Sequence, residues 1–301
     1  MSRMVIAGGT GMIGRRLVAA LLQDGVEVTV LSRTPERAGL PAGVSVQPWT
    51  DLAGTLAGAG AVINLCGAGI ADRRWSAARK RELLDSRLQP TNLLVAALRG
   101  LDPAPALINA SAIGFYGPRD GQVVTEASGS GPGFLAKLCR QWEAAADAAA
   151  AGQVRVVRVR IGIVLAREGG ALGKMAQPVR MFAGTRLGHG QQGLSWIHLD
   201  DLVGLFLEAA RNPAYAGAVN ATAPMPTSNE TFTRALARCL HRPLLPVPAL
   251  LTRTALRDLL GEMGQELLLE GAFVYPRKAQ ELGFRFRFEE LAPALRDLLR
   301  N

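Results

Sequence analysis

The sequence predicts an α/β protein built on a doubly wound parallel sheet, with a smaller and mostly helical C-terminal domain. Through the first 165 residues, short apolar or β-branched runs alternate with amphipathic helical segments. This alternation is typical of a parallel sheet with helices on both faces. The first apolar run, residues 4–7, also ends in a glycine cluster that leads directly into a helical segment. Beyond residue 166 the pattern is less regular and is broken by several prolines, which favours a separate smaller unit.

The elements follow in order along the chain. We expect strands at residues 4–7, 26–31, 44–46, 61–64, 106–110 and 154–159, with the last continuing to 165. We expect helices at residues 12–23, 76–99, 134–151, 172–182, 199–210 and 229–240, with two or three short helices in the last fifty residues. Pro90 is expected to interrupt the long helix, because proline lacks an N–H and its ring clashes with the preceding turn.

Three glycines follow the first strand in the spacing G-x-x-G-x-x-G. Missing side chains let the backbone approach an anion, and the start of a helix adds free N–H groups and the positive end of its dipole. The order of strand, glycine turn and helix distinguishes this pattern from an ordinary glycine turn. The sequence therefore predicts that a dinucleotide binds here. The residues expected to contact it are Gly8, Thr10, Gly11, Met12, Ile13 and Gly14.

Two further strand ends are expected at the same cleft. The second strand ends in Ser32 and Arg33, where an acidic residue would favour NAD and an arginine favours the 2′-phosphate of NADP(H). No acid is present, which argues for NADP(H); the alternative is a solvated loop arginine. The fourth strand ends in the residues Asn64, Leu65, Cys66 and Gly67, which should line the cleft because ligands of such sheets lie across the carboxyl ends of the strands.

Composition excludes several classes of protein. Hydrophobic residues make up 49% of the 301 residues and charged residues 20%, as in ordinary globular proteins. No apolar run approaches the roughly 18 residues of a membrane helix, and the start of the chain does not resemble a signal peptide. Three separated cysteines and three separated histidines predict neither a disulfide framework nor a metal site and fit the cytoplasm. The net charge of +9 raises nucleic acid as a partner, but scattered arginines and 5% aromatic residues argue against it.

Four motifs together give the chain a family resemblance. The glycine loop 8–14, the stretch Ser111-Ala-Ile-Gly-Phe-Tyr-Gly117, the helix Phe134-Leu-Ala-Lys-Leu-Cys-Arg-Gln-Trp-Glu143 and the segment Ser195-Trp-Ile-His-Leu-Asp-Asp201 resemble those of extended and atypical short-chain dehydrogenase/reductases. The chain is most similar to the NAD(P)-dependent epimerase-like family that is also labelled nucleoside-diphosphate-sugar epimerase or cell-division-inhibitor-like. Residues 250–299 resemble the small C-terminal domain attached to that family.

The resemblance implies a Rossmann domain for NADP(H), formed by residues 1–165 with 199–222 returning to it. Residues 166–198 and 223–301 would then form a lid that holds the substrate. Active relatives use a serine or threonine, a Tyr-x-x-x-Lys pair on a helix and hydride transfer to or from the nicotinamide. The tyrosine exchanges a proton with the substrate, and the lysine's charge lowers the tyrosine pKa.

The sequence departs from that pattern at the tyrosine. Lys137 matches the lysine, but Gly133 stands four residues earlier, and a gapless comparison puts Ala112 rather than Ser111 at the serine position. We hypothesise that Tyr116, with Ser111 and Lys137, handles the proton, while Lys137 also holds the nicotinamide ribose. The alternative is that Tyr116 only packs and that the chemistry is weak, different or absent.

Four other residues that could serve the site can also be explained by ordinary structural roles. Asp200 can cap a helix and His198 can hydrogen-bond locally. Cys66 is more typical of a small buried apolar residue than of a nucleophile. Arg160 could hold a substrate anion or form an internal ion pair.

The predicted function is that of an NADP(H)-dependent oxidoreductase or epimerase for a small polar substrate. The alternative is a regulator that binds NADPH without turnover, which Gly133 favours and which Ser111 and Lys137 disfavour. Neither nucleic acid nor membrane is an expected partner.

Overall fold

A computed structural model describes residues 3–119 and 121–300. The strands are β1 (Arg3–Ala7), β2 (Glu27–Leu31), β3 (Val44–Gln47), β4 (Ala61–Asn64), β5 (Ala106–Ala112), β6 (Val123–Val124), β7 (Val156–Ile161), β8 (Ile163–Leu165), β9 (Gly193–Leu194), β10 (Trp196–His198), β11 (Gly217–Ala221), β12 (Thr227–Ser228) and β13 (Phe273–Val274).

The helices alternate with these strands through the first half of the chain and dominate its end. They are α1 (Met12–Gln23), α2 (Leu52–Leu56), α3 (Ala77–Leu98), α4 (Phe134–Asp147), α5 (Gly170–Arg180), α6 (Leu199–Arg211), α7 (Asn229–Cys239), α8 (Ala249–Leu260), α9 (Glu262–Gly264), α10 (Arg277–Glu281) and α11 (Leu291–Leu299). Short 3₁₀ turns lie at Pro35–Arg37, Ile113–Tyr116 and Ala148–Gly152, and a π-helical turn lies at Gln265–Leu269.

A seven-stranded sheet forms the centre of the molecule, in the order β11-β7-β5-β4-β1-β2-β3. Every pair in this sheet is parallel. The chain runs outward from β1 first through β2 and β3 and then, on the other side, through β4 and β5. The strand order therefore reverses at β1, where the crevice for a ligand is expected. The register pairs Ala7 with both Leu31 and Asn64, so three strands end at the same level beside this crevice.

Helices cover both faces of the sheet, which confirms the predicted fold class. Along β1, Met4 and Ile6 pack with α1 and α6 on one face, while Val5 and Ala7 pack with α2 and α3 on the other. This two-residue alternation is the side-chain period of a strand. All four side chains are fully buried, as expected for a parallel strand covered on both sides.

Two sequence expectations need correction. Helix α3 is continuous through Pro90, because Leu83 before it and Leu94 after it are both fully buried in hydrophobic clusters and so keep both halves packed. The run from 156 to 165 is two strands rather than one. It divides at Gly162, whose Cβ would lie 2.9 Å from the Ser195 carbonyl oxygen, and β8 then leaves the main sheet to pair with β10.

The later part of the chain forms a third hydrophobic cluster from α5, α7 and α11 around Trp196. It is joined to the first part by short strand pairs, since β13 near the C-terminus pairs with β6 in the polar loop after β5. Strand β11 and helix α6 lie with the main sheet, as the return of residues 199–222 requires. The division into a cofactor domain and a lid stays a prediction. Among the described residues, no helix combines the length and apolar character needed to cross a membrane.

Candidate functional site

The glycine loop after β1 is built by close backbone packing. Gly8 has φ +82°, and a Cβ there would lie 3.0 Å from the Leu65 carbonyl carbon. A Cβ at Gly14 would lie 2.5 Å from the Gly8 carbonyl oxygen, so that glycine lets α1 approach the strand. Gly11 differs, because its Cβ would meet only the Gly8 oxygen at 3.6 Å and would otherwise point into open space. Gly8 and Gly14 therefore shape the loop, whereas Gly11 leaves its outer side open.

The start of α1 is available to an anion. Gly11 is the N-cap residue and no side chain caps the helix, so the first N–H groups face outward with the positive end of the dipole. Arg15 fixes the loop from behind: its Nε donates to the Thr10 carbonyl at 2.9 Å and its Nη2 to the Ala38 carbonyl at 3.0 Å. The loop is thereby tied to the segment that follows β2.

Gly169 and Gly170 approach the glycine loop from the second half of the chain. Both have positive φ, and Cβ atoms there would lie 3.4 and 3.3 Å from the Met12 sulfur. Gly169 is the N-cap residue of α5 and Gly170 is its first residue, so the start of α5 packs against the Met12 side chain beside the glycine loop. Sequence reasoning did not assign the pair to the cleft. The available signal was a double glycine immediately before an amphipathic helix.

A cation faces the cleft at the end of β2. Arg33 is exposed, and the Ser32 hydroxyl accepts a hydrogen bond from the Thr34 N–H at 3.1 Å. Burial raises the pKa of the Cys66 thiol to about 12, and the positive charge of Arg33 opposes that rise. The guanidinium therefore lies close enough to act on the end of β4. The same pKa keeps Cys66 protonated near neutrality, in agreement with its predicted apolar role.

The end of β4 contributes backbone rather than a polar side chain. The Asn64 amide is buried and donates to Thr91 Oγ1 at 2.9 Å and to Asn109 Oδ1 at 2.6 Å, so its predicted contact with a ligand cannot come from its side chain. Residues 65–67 follow β4 at the cleft, and Arg87 of α3 supports them. Arg87 donates to the Ala68 carbonyl at 3.2 Å, and its guanidinium would lie 3.0 Å from a Cβ at Gly67.

The predicted proton-transfer residues belong to a buried polar network. Ser111 donates to Glu143 at 2.7 Å, and Arg160 donates to both oxygens of the same carboxylate at 2.8 and 2.9 Å. Tyr116 donates to Asn220 Oδ1 at 2.6 Å and accepts from Arg160 Nη1 at 2.9 Å. The network joins β5, the turn after it, α4, β7 and β11. Of the two predicted roles of Arg160, the structure shows the internal ion pair.

The three residues of the hypothetical trio differ in exposure, because Ser111 and Tyr116 are buried whereas Lys137 is exposed. Tyr116 is 0% exposed and Ser111 2%, and both hydroxyls already donate to partners inside the protein. Burial raises the Tyr116 pKa, whereas a proton-transferring tyrosine needs a lowered one. Lys137 lies on the exposed side of α4, and among the described residues its ammonium has no ion-pair partner. Lys137 alone stays a candidate for the cleft.

Glu266 lies next to Gly133, which stands where the sequence comparison expected a tyrosine. Gly133 is the N-cap residue of α4, with φ +98° and ψ 171°, a conformation open essentially to glycine alone. Glu266 accepts the Phe134 N–H at 2.8 Å and the Leu135 N–H at 2.9 Å with its two oxygens. A Cβ at Gly133 would lie 3.0 Å from that carboxylate. A side chain of the C-terminal segment thus caps the helix that carries Lys137, with Lys80 paired to Glu262 beside it.

The Ile-His-Leu-Asp-Asp segment is structural. His198, rather than the predicted Asp200, caps α6, because its Nδ1 accepts the Asp200 N–H at 3.1 Å. Asp200 instead pairs with Arg16 of α1 at 2.8 Å. Asp201 accepts the N–H groups of Arg287 and Phe288 and so fixes the C-terminal segment. In the described part of the chain, no three His, Cys, Asp or Glu side chains form a metal-binding group.

Similarity to known proteins extends over nearly the whole chain. The model of the NAD dependent epimerase/dehydratase family matches residues 4–222, and a domain of unknown function, DUF1731, matches 247–298. The chain is 42% identical to the chloroplastic epimerase family protein SDR39U1 homolog of Arabidopsis thaliana, covering 98% of this chain and 86% of the relative. It is 41% identical to an epimerase family protein of Mycobacterium bovis, covering 97% and 96%.

Solved structures agree. The human epimerase family protein SDR39U1, crystallised with NADPH, superposes with a TM-score of 0.87 at 33% identity over 98% of both chains. A nucleoside-diphosphate sugar epimerase from Corynebacterium glutamicum superposes with a TM-score of 0.77 at 29% identity, covering 98% of this chain and 57% of the other. The family resemblance drawn from the motifs is thereby confirmed.

Proposed function

The chain belongs to the NAD-dependent epimerase/dehydratase family, and on that premise we propose that it binds NADP(H) in the crevice beside β1. The observation that carries the proposal is the open side of Gly11 at an uncapped helix start. That surface suits a pyrophosphate, which needs close backbone approach and N–H donors. The human relative crystallised with NADPH supports the same ligand.

The 2′-phosphate of NADP(H) would lie against Arg33. This arginine is exposed at the end of β2, where dinucleotide-binding folds hold the adenosine ribose, and its charge acts on Cys66 across the crevice. Arg37 lies in the following 3₁₀ turn and offers a second exposed cation. We therefore expect NADPH to bind more tightly than NADH.

The proposed reaction is an oxidoreduction or an epimerisation of a small polar substrate. Bound NADP(H) would supply or accept the hydride. Lys137 would hold the ribose beside the nicotinamide, because it stands on the first turn of α4 with an exposed side chain that forms no ion pair among the described residues. Tyr116 takes no part, since its hydroxyl is committed inside the buried network. The proton must then pass through another group, and the carboxylate of Glu266 lies at the start of the same helix.

A second function is favoured by one observation. Gly133 is packed against Glu266, so the family position of the catalytic tyrosine is filled by a structural contact. Such a protein would bind NADPH without turning it over and would report the cofactor to a partner.

A titration combined with a turnover assay tests both functions. NADPH and NADH are titrated against wild type, Arg33→Ala and Lys137→Ala while nicotinamide fluorescence is followed, with Arg81→Ala as an exposed control on α3. NADPH labelled with deuterium at the transferable position is then incubated with carbonyl compounds and nucleoside-diphosphate sugars. Deuterium transfer that falls in Lys137→Ala would support the enzyme. Tight binding with no transfer would favour the sensor, and no binding would refute the cofactor assignment.

A further inference from the structure

A concave arginine-lined site lies outside the cofactor crevice, where α5, α7 and α11 end. The cavity has a volume of about 580 Å³. Four arginines line it, one from α5, one after α7, one from α11 and one immediately after α11: Arg180, Arg242, Arg296 and Arg300. Cys239 forms part of the wall. We call this the arginine cavity.

The four guanidiniums carry positive charge that the surrounding protein leaves unbalanced. Within residues 3–119 and 121–300, none of the four forms an ion pair with a carboxylate, although fifteen ion pairs occur elsewhere. Arginines near helix C-termini stabilise the negative ends of the dipoles, which amount to roughly half a charge for each helix. Three helix ends therefore offset about one and a half of four positive charges. No described carboxylate balances the remainder, so an anion that enters this exposed site meets a net positive charge.

The chemistry of the cavity selects a compact polyanion. Guanidinium groups form bidentate, charge-assisted hydrogen bonds with phosphate oxygens. The volume falls within the range of small-molecule sites, roughly 300–1,000 Å³, and is too small for a folded partner. Leu240 and Leu299 give the wall an apolar portion beside the charges. We propose that the arginine cavity binds a small phosphorylated metabolite, recognised through two or more phosphate oxygens.

This site is independent of the proposed cofactor function. Arg180 and Arg296 stand on helices that pack in the third hydrophobic cluster, whereas the glycine loop and Arg33 belong to the crevice of the main sheet. A polyanion such as pyrophosphate can also bind at the glycine loop. The test must therefore distinguish the two places on the same protein.

Inorganic pyrophosphate, titrated by calorimetry, is the probe. The variant Arg180→Ala/Arg296→Ala removes two cations from the cavity, and Arg238→Ala/Arg253→Ala removes two exposed cations that do not line it. The variant Arg33→Ala instead removes a cation from the cofactor crevice. Thermal denaturation checks that each variant folds, which is expected because all these side chains are exposed. We expect pyrophosphate affinity to fall at least about tenfold in the cavity variant, because charge-assisted contacts of two guanidiniums with the phosphates are lost. Both other variants should retain it.

Cys239 supplies a second readout at the cavity itself. Its alkylation by iodoacetamide, measured by peptide mass spectrometry, should slow when pyrophosphate is present in wild type but not in Arg180→Ala/Arg296→Ala. Equal losses of affinity in both double variants, or no protection of Cys239, would overturn the proposal. Binding of single-stranded RNA more tightly than pyrophosphate, lost equally in both double variants, would also overturn it and would indicate a general positive surface.

Discussion

The carboxylate of Glu266 lies against the backbone of Gly133 and accepts the first two N–H groups of α4. The two residues are far apart in the sequence, yet the identity of each accounts for the presence of the other at this contact. A helix N-terminus favours a negative charge, and a glycine in this conformation leaves room for that charge to approach. The contact attaches the C-terminal segment to the helix that carries Lys137. It also fills the space into which a side chain at position 133 would extend.

We expect Gly133→Ala to lower the free energy of unfolding by about 1–3 kcal/mol, because the residue has positive φ and its Cβ would meet Glu266. Urea denaturation would measure the change. Gly283→Ala is the matched control, since Gly283 has φ +83° but no atom within 4 Å of its Cβ position. Part of the excess loss at Gly133 should disappear in a Glu266→Ala background. Equal losses at the two glycines in the native background would contradict the contact.

Tyr116→Phe should destabilise the protein without affecting cofactor binding. Its hydroxyl joins Asn220 to Arg160, and leaving such buried groups unpaired costs about 1–3 kcal/mol. Tyr215→Phe provides the comparison, because the buried Tyr215 hydroxyl has no hydrogen-bond partner among the described residues. That change should leave stability within about 0.5 kcal/mol of wild type or raise it slightly. Unchanged stability together with lost turnover in Tyr116→Phe would return the tyrosine to the mechanism.

Arg33→Ala should reduce the preference for NADPH over NADH. A charge-assisted contact with the 2′-phosphate contributes about 1.5–3 kcal/mol, so we expect the NADPH dissociation constant to rise about 10- to 100-fold. The NADH constant should change little, because NADH lacks that phosphate. Fluorescence titration of both nucleotides at one ionic strength gives the ratio directly. A parallel loss of both affinities would show that Arg33 shapes the crevice rather than reading the phosphate.

The fold could be predicted from the sequence because its signals are local. The run Met4–Ala7 and the glycines after it specify a strand, a turn and a helix within twenty residues. The need for glycine at position 14 is also local, since any Cβ there would meet the Gly8 carbonyl oxygen.

The site was predicted only in part because its decisive contacts are long-range. Tyr116 follows β5 near the cleft, but the 3₁₀ turn at Ile113–Tyr116 directs its ring inward to meet Arg160 of β7 and Asn220 of β11. No spacing in the sequence indicates those pairings, nor the capping of α4 by Glu266. They depend on strand order and on how the C-terminal segment packs.

The reactivity of the cysteines should follow their surroundings. Burial raises the pKa of Cys66 to about 12 and that of Cys139 to about 11, so very little thiolate forms at pH 8. Cys239 is partly exposed at the arginine cavity and should be alkylated first by iodoacetamide. Peptide mass spectrometry over time gives the three rates. Arg33→Ala should slow Cys66 further, because the arginine's charge favours the thiolate. Rapid labelling of Cys66 in wild type would contradict its protonated state.

Stability should fall as the pH is lowered through about 6.5, and His198 should be responsible for part of the loss. Burial lowers the His198 pKa below its ordinary value of 6.5, although Asp200, Asp201 and Asp297 oppose that shift. The unfolded chain therefore binds a proton that the folded protein excludes, so protonation favours unfolding as the pH falls. One such group changes the free energy of unfolding by at most about 1.4 kcal/mol per pH unit.

Urea denaturation between pH 7.5 and 5.5 would measure this slope in wild type and in His198→Asn. Asparagine can still cap α6 but does not titrate, so its slope should be shallower. The exposed His241, changed to Gln, is the control for replacing a histidine elsewhere in the chain. Burial also raises the Asp201 pKa, which acts in the opposite direction, but that carboxylate is present in both proteins, so their slopes differ by His198 together with its interaction with Asp201. Equal slopes in wild type and His198→Asn would show that His198 is not the titrating group.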